Sequence, residues 1–266
     1  MTSFRRRSLS LRQRGRHRTF KAMLTTLQCI SLRTVKYDDK RAIVTAWSRS
    51  HGRLSLLTAA GATREAARRR ALLMPLSLFE GVADLRPDRE IYPLREVRPL
   101  RVLAHIHAHP LKAVMSLFVA DFLEWALRTS PPDQHLTDFL FESVALLDSL
   151  RDATAVANFH LYLLYHLGRF LGIEPDIGSR MADTDVFDMR DGVFRASAPM
   201  HSRYHAGSRA RAVWLLSRMR PQTLAAFRFT RAERNDILDE ILAYYSMHLS
   251  PVGALPSLAI VRDVMC

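Results

Sequence analysis

The apolar residues of this chain change period once, near residue 101, and that change bounds what it can fold into. Leu27, Cys29, Ser31, Arg33 and Val35 alternate against Gln28, Ile30, Leu32 and Thr34, the two-residue period of a strand. Ala42–Trp47 is rich in β-branched and aromatic residues, and Asp38-Asp39-Lys40-Arg41 before it reads as a turn. Ser50-His51-Gly52 is a second turn signal, after which Leu54, Leu56 and Leu57 begin a third strand. Leu72–Phe79 and Ile91–Val97 supply two more, separated by a polar stretch containing Pro87-Asp88. Five short strands in so short a span predict a small closed barrel rather than a parallel sheet.

From Leu111 onward the spacing is helical. Val114, Leu117, Phe118, Phe122 and Trp125 mark a first helix, stopped by Pro131-Pro132. A second is expected over His135–Leu150, and a third over Ala153–Phe170, apolar on most faces and therefore central in a bundle. Residues 173–208 are less regular, with a short hairpin expected over Phe187–Phe194 and Asp191-Gly192 at its turn. Thr230-x-x-Glu233 is a capping box opening a last helix that buries Ile237, Leu238, Ile241, Leu242 and Tyr245. The expected class is α+β, with an N-terminal OB-fold barrel over residues 23–101 and a helical domain over 102–266 that carries an irregular hairpin near 183–196. Residues 1–22 hold seven arginines and no acid. Such a stretch is expected to be disordered, either as a basic arm or as sequence ahead of a start at Met23.

Lysine and arginine number 39 against 26 acids, a net charge of +13. A surplus of this size favours a polyanionic partner, nucleic acid or an anionic membrane surface. The two cysteines, Cys29 and Cys266, are too few for a disulfide framework and suggest a reduced, cytoplasmic protein. No apolar stretch has the length of a membrane span. The sequence contains no phosphate-binding loop, no dinucleotide fingerprint and no Gly-x-Ser-x-Gly elbow, and no enzymatic activity is expected. No metal or other cofactor is expected either. His105, His107 and His109 would share one face if extended, but no carboxylate or cysteine accompanies them, and they read as a domain junction. His201 and His205 lack the glutamate of a zincin motif. Asp38-Asp39 and Asp183-x-Asp185 read as turn and capping residues.

The barrel carries the denser signal. Arg33, Lys36, Arg41, Arg49 and Arg53 sit on the first three expected strands and their turns, and Arg64, Arg68, Arg69 and Arg70 follow Gly61. Tyr37 and Trp47 are interleaved with them. A basic groove with aromatic faces is how small barrels hold single strands. Trp47 reads equally well as core, and Arg68–Arg70 as a solvated helix turn.

The ordered set resembles the RecO family of recombination mediators. The carriers are Leu32–Thr45, His51–Ser55 with Ala59–Ala62, the basic Arg64–Arg70, Leu73-Met74-Pro75 leading to Glu80, and Phe159–Gly168 followed by Gly172-Ile173-Glu174-Pro175. The resemblance implies a DNA repair protein of the nucleoid that binds single- and double-stranded DNA and anneals complementary strands. It also implies contacts with RecR and with the acidic tail of single-stranded DNA-binding protein (SSB), and help in loading RecA onto covered DNA. Arg151, Phe159, Leu163 and Arg169 are the candidate tail contacts. Many relatives carry a four-cysteine zinc site after the central helix. Residues 173–208 contain no cysteine, so that site is expected to be lost. Asn158 stands where some relatives have arginine. The competing expectations are an RNA-binding or ribosome-associated barrel and a membrane-surface protein using the basic arm.

Overall fold

The structure is a computed structural model that describes residues 24–178, 181–182 and 184–264. The arginine-rich segment 1–22, Asp183 and Cys266 lie outside the described residues.

Five strands close a barrel in the order β1-β2-β3-β5-β4: β1 (Leu24–Lys36), β2 (Arg41–Ser48), β3 (Gly52–Ala59), β4 (Leu78–Asp84) and β5 (Ile91–Pro99). Only the β3–β5 pair is parallel. This is the OB-type barrel the alternation implies. Leu27, Cys29, Val44, Ala46, Leu54, Leu56, Phe79 and Leu94 fill its interior. Gly81 is required where β4 meets β5, because a Cβ there would lie 2.7 Å from a Leu94 methyl. Gly52 turns β2 into β3 at φ +65°.

One residue changes the simple alternation. The β1–β2 register slips between Ser31 and Arg33, leaving Leu32 as the extra residue of a bulge. Cys29 faces the barrel core, whereas Arg33 and Val35, on the far side of the bulge, share an outward face with their partners Thr45 and Ile43. The fourth strand also differs from expectation. Leu72–Phe79 is not one strand: its apolar run spans the end of helix α1 (Arg64–Leu72), a buried turn and the first residues of β4. Thr63 caps α1 by accepting from the Ala66 N–H at 3.1 Å. The turn is made by Leu76, whose φ is +61°. It is tied to the bulge by Leu76 N–H to the Ser31 carbonyl at 2.8 Å and Ser31 N–H to the Ser77 carbonyl at 2.9 Å.

The helices are α2 (Pro110–Ala126), α3 (Gln134–Ser149), α4 (Ala153–Leu167), α5 (Gly207–Arg218), α6 (Arg231–His248) and α7 (Leu258–Val264). Asp133 and Asp152 cap α3 and α4, and Thr230 with Glu233 forms the reciprocal box at α6. Helix α4 is buried along nearly its whole length, as its apolar faces require. Between α4 and α5 lies a sheet of β6 (Val186–Asp188), β7 (Val193–Arg195) and β8 (Tyr204–His205). The expected hairpin is β6–β7, and β8 adds a strand that its two-residue length hid from pattern reading.

Barrel and helices share one apolar core. Ile30, Leu32, Trp47, Leu76 and Leu78 pack with Phe118, Phe122 and Leu140 of α2 and α3. Trp47 is 0% exposed, and its indole N–H donates to Thr137 Oγ1 at 3.0 Å. The linker is held by Asp148, whose carboxylate accepts the backbone N–H groups of Ala104, His105 and Ile106 at 3.2, 2.8 and 2.7 Å. Trp47→Ala is expected to destabilise the protein by about 3–5 kcal/mol, while Trp47→Phe, which keeps most of the volume and loses the hydrogen bond, costs about 1–2. Urea unfolding of both variants measures the difference.

Candidate nucleic-acid interface

Strand pairing places a set of side chains on the outer face of β1, β2 and β3. Residues directly paired across a ladder point to the same side. Val35 pairs Ile43, which pairs Leu57; Arg33 pairs Thr45, which pairs Ser55; Trp47 pairs Arg53. At the open end of this face stands Tyr37, 54% exposed, with the Arg41 guanidinium 5.0 Å over its ring. Tyr37 and Arg33 lie roughly 13 Å apart along β1 at the usual strand rise, and between them a partly exposed apolar row of Val35, Ile43 and Leu57 crosses the three strands. Ile91 and Pro93 of β5 pair with Ser55 and Leu57 and extend the row sideways. Apolar, aromatic and cationic groups thus lie in one strip, which can seat bases on its middle and phosphates on its edges.

The arginines and lysine named from sequence fall into distinct environments. Lys36 and Arg41 lie in the β1–β2 turn and pair with Asp39 at 2.8 Å and Asp38 at 2.6 Å, both in solvent. Arg33 and Arg53 share Glu124 of α2, at 3.5 and 3.6 Å. Arg49 is tied to Asp138 of α3 at 2.6 Å and lies over the Phe141 ring. Arg69 pairs with Glu65 one turn earlier in α1. Arg70 donates to the carbonyls of Ala60 and Gly61 at 3.1 and 3.0 Å and anchors that loop. Arg64 and Arg68 are exposed and form no ion pair among the described residues. The Ala60 N–H donates to the Lys40 carbonyl at 2.8 Å, so the loop leading to α1 abuts the β1–β2 turn. Tyr37 and Arg41 flank that turn, whereas the end of α1 packs at the barrel interior, with Leu73 in the barrel core and its carbonyl accepting from Thr34 Oγ1 at 3.2 Å.

Trp47 does not belong to the exposed strip. Its full burial against α3 removes it as a stacking platform, because the outer end of β2 is where the helices sit. Sequence reading missed four basic residues here. Lys40 and Arg95 are exposed on the barrel, and Arg86 and Arg89 of the β4–β5 loop flank Asp84 at 3.3 and 3.7 Å. The signal was present: that loop is a usual nucleic-acid contact in OB barrels.

The candidate tail contacts separate as well. Phe159 and Leu163 are 0% and 1% exposed and cannot meet a partner, since α4 is enclosed on both sides. Asn158 is also buried. Its amide donates to the carbonyls of Leu224 and Phe227 at 2.9 and 2.8 Å, and its oxygen accepts from Arg234 at 3.0 Å. Arg151 and Arg169 are exposed. Arg169 borders a groove of about 540 Å³ whose walls include Phe139, Phe170, Tyr162, Arg218 and Arg220. Phe139 and Phe170 are stacked with centroids 4.9 Å apart.

Among the described residues no three His, Cys, Asp or Glu side chains converge as a metal site. His105, His107 and His109 are not on an extended strand. They lie in the turn ahead of α2, with His107 Nε2 held 2.8 Å from the Pro75 carbonyl. His205 Nε2 lies 2.8 Å from Glu240, off hydrogen-bond alignment, and His201 lies 3.4 Å from Asp188. Cys29 is enclosed in the barrel, and burial pushes its thiol up to about 12, which makes it a poor ligand or nucleophile. Residues 173–208, where the resemblance implies a four-cysteine zinc site in relatives, contain no cysteine. The carboxylate of Asp188, 1% exposed, is instead engaged by the cation of Arg195 at 2.9 Å and by the N–H groups of Arg190 and Asp191 at 3.0 and 3.3 Å.

Burial opposes ionisation of Asp188, but those hydrogen bonds, Arg195 first, outweigh it and hold its carboxyl below the ordinary value. A depressed carboxylate stabilises the fold fully above its unfolded pKa, about 3.9, and loses that contribution as pH falls through the lower folded value. Asp188→Asn is expected to cost roughly 1–3 kcal/mol at neutral pH, with the gap to the natural protein closing below about pH 4. Thermal melts across that range check it, and a gap independent of pH would assign the loss to geometry rather than charge.

Two profiles match the chain in tandem. One described as recombination protein O N terminal covers residues 23–103, and one described as recombination protein O C terminal covers residues 109–258. Similar proteins include the DNA repair protein RecO of Bacteroides fragilis, 32% identical over 243 residues, covering 91% of this chain and 99% of that one. The protein of the same name from Phocaeicola vulgatus is 32% identical over 245 residues, with 91% and 99% covered. That from Porphyromonas gingivalis is 32% identical over 238 residues, with 88% and 96% covered.

Proposed function

The chain belongs to the RecO family of DNA repair proteins, and from that premise we propose that it is a non-catalytic recombination mediator whose barrel binds the DNA. The observation that carries this reading is the strip on the barrel, exposed Tyr37 with its apolar row and the turn cations at its end, together with the exposed Arg64 and Arg68 of α1. Phosphates take the place of the counterions around such cations, so affinity falls steeply with salt. Bases laid on Tyr37 and the apolar row turn away from one another, which leaves their pairing edges open to a complementary strand. Neutralised backbones repel less, and strand annealing follows from the two effects together.

The groove beside Arg169 supports the partner half of the reading. An acidic peptide that ends in apolar residues would pack them against Phe139 and Phe170 and set its carboxylates on arginine. On this reading it receives the SSB tail, while RecR joins the protein in loading RecA. The seat is Arg169 with Arg218 and Arg220, rather than Phe159 and Leu163. No helix among the described residues is long and apolar enough to cross a membrane.

The test is the salt dependence of binding to a labelled single strand. Replacing Arg64 and Arg68 together by Ala is expected to flatten the slope of log affinity against log salt by about 0.7 for each phosphate that the variant no longer neutralises. Tyr37→Ala is expected to weaken binding by about 1–3 kcal/mol with little change of slope. Unchanged slope and affinity in both variants would remove this face from the DNA site. A clear preference for structured RNA in competition would favour an RNA-binding role instead.

A further inference from the structure

At the helical end of the barrel strip, Arg33 and Arg53 meet over a single acid. Arg33 leaves β1 and Arg53 leaves β3 on the same face, Arg33 in the row of Thr45 and Ser55 and Arg53 in the next row beside Trp47. Helix α2 brings Glu124 to this point. One carboxylate oxygen lies 3.5 Å from Arg33 and the other 3.6 Å from Arg53. Two guanidinium groups on one carboxylate leave a positive charge in excess. Both separations exceed the ~2.7–2.9 Å of a strong charge-assisted hydrogen bond. The Arg53 Nε is buried and finds no acceptor. Arg33 remains more than half exposed, so the node is open to solvent from the strip side.

The neighbouring pair shows what a closed clamp looks like in the same seam. Arg49 and Asp138 meet at 2.6 Å, one cation to one anion, with the Phe141 ring beneath the guanidinium. No charge there is left over for a third group. Arg49 Nε, like Arg53 Nε, is buried without an acceptor, and what sets the Glu124 node apart is its surplus cation and its longer contacts. A phosphodiester presents two unbridged oxygens bearing one charge, and so replaces the carboxylate without changing the charge of the node.

We propose that Arg33 and Arg53 form a backbone-phosphate site in which Glu124 is a built-in stand-in, displaced when a single strand lies along the barrel. This rests on the DNA-binding reading above. It makes Glu124 a competitor that weakens every bound strand and lets it leave, which suits a protein that must hand its DNA on. The displaced carboxylate turns out to solvent.

Fluorescence anisotropy of a labelled oligo-dT, titrated with the full chain across potassium chloride concentrations, tests this. Glu124→Gln is expected to bind about 3–10-fold more tightly at low salt, since two partly buried ion pairs stop competing. Its salt slope is expected to steepen by about 0.7–1.4, the contribution of one or two neutralised phosphates. Arg33→Ala should cost more affinity in the Glu124→Gln background than in the natural one. Glu124→Asp, which keeps the charge but shortens the reach, should tighten binding to a smaller extent, and serves if the Gln variant melts early. Unchanged or weaker binding by a Gln variant of normal melting temperature overturns the proposal and leaves Glu124 as a structural clamp. Absence of salt-dependent binding by both proteins would instead bring down the DNA reading, and this site with it.

Discussion

Trp47 sits in the barrel wall but is buried by the helices, with its indole N–H on Thr137 and its ring in the core shared with α2 and α3. A buried indole N–H needs an acceptor, and Thr137 is itself fixed by donating to the Asp133 carbonyl at 2.7 Å. That chain of contacts decides which part of the barrel surface is left for a ligand. Where the helices cover β1 and β2, Ile30, Leu32 and Trp47 are apolar and enclosed. Where they do not, Val35, Tyr37 and Arg41 are exposed. The same seam determines which arginines remain available: Arg49 is taken by Asp138 and Arg33 and Arg53 are shared by Glu124, while Arg64 and Arg68 stay clear of it.

Charge alone therefore describes this protein poorly. A surplus of +13 says that a polyanion is welcome but not where. The position comes from short-range geometry: a bulge at Leu32 that turns Arg33 and Val35 outward, a threonine cap that makes a helix of the basic run, and an arginine at 70 spent on backbone carbonyls. Around α4 the same rule holds. The residues that most resemble a partner site in sequence, Phe159 and Leu163, are the ones the bundle needs for its own core, and of the two exposed candidate arginines Arg169 borders the groove beside Phe170.

The barrel and the main helices were legible in the sequence because each rests on a repeated local signal. Alternation marked β1 to β3, helical spacing marked α2 to α4, and Thr230 with Glu233 marked α6. What was not legible depended on contacts distant in sequence. The run Leu72–Phe79 reads as a strand because its apolar residues serve a helix end, a turn and a strand in succession, and only the bonds to Ser31 reveal the turn. Trp47 has the same local pattern whether it faces helices or solvent. Glu124, Asp138 and Asp148 are ordinary helix acids by sequence, and their roles arise from what the barrel and linker place opposite them.

The central claim is that DNA lies along the barrel face that runs from the β1–β2 turn to the Glu124 node, clear of α3 and α4. Hydrogen–deuterium exchange of the full chain with and without a saturating oligo-dT tests it most directly. Exchange is predicted to slow at residues 36–41 and over the first turns of α1, with the amides of α3 and α4 unchanged. Protection confined to the helical segments after residue 110, with the β1–β2 turn and α1 unaffected, would contradict the account.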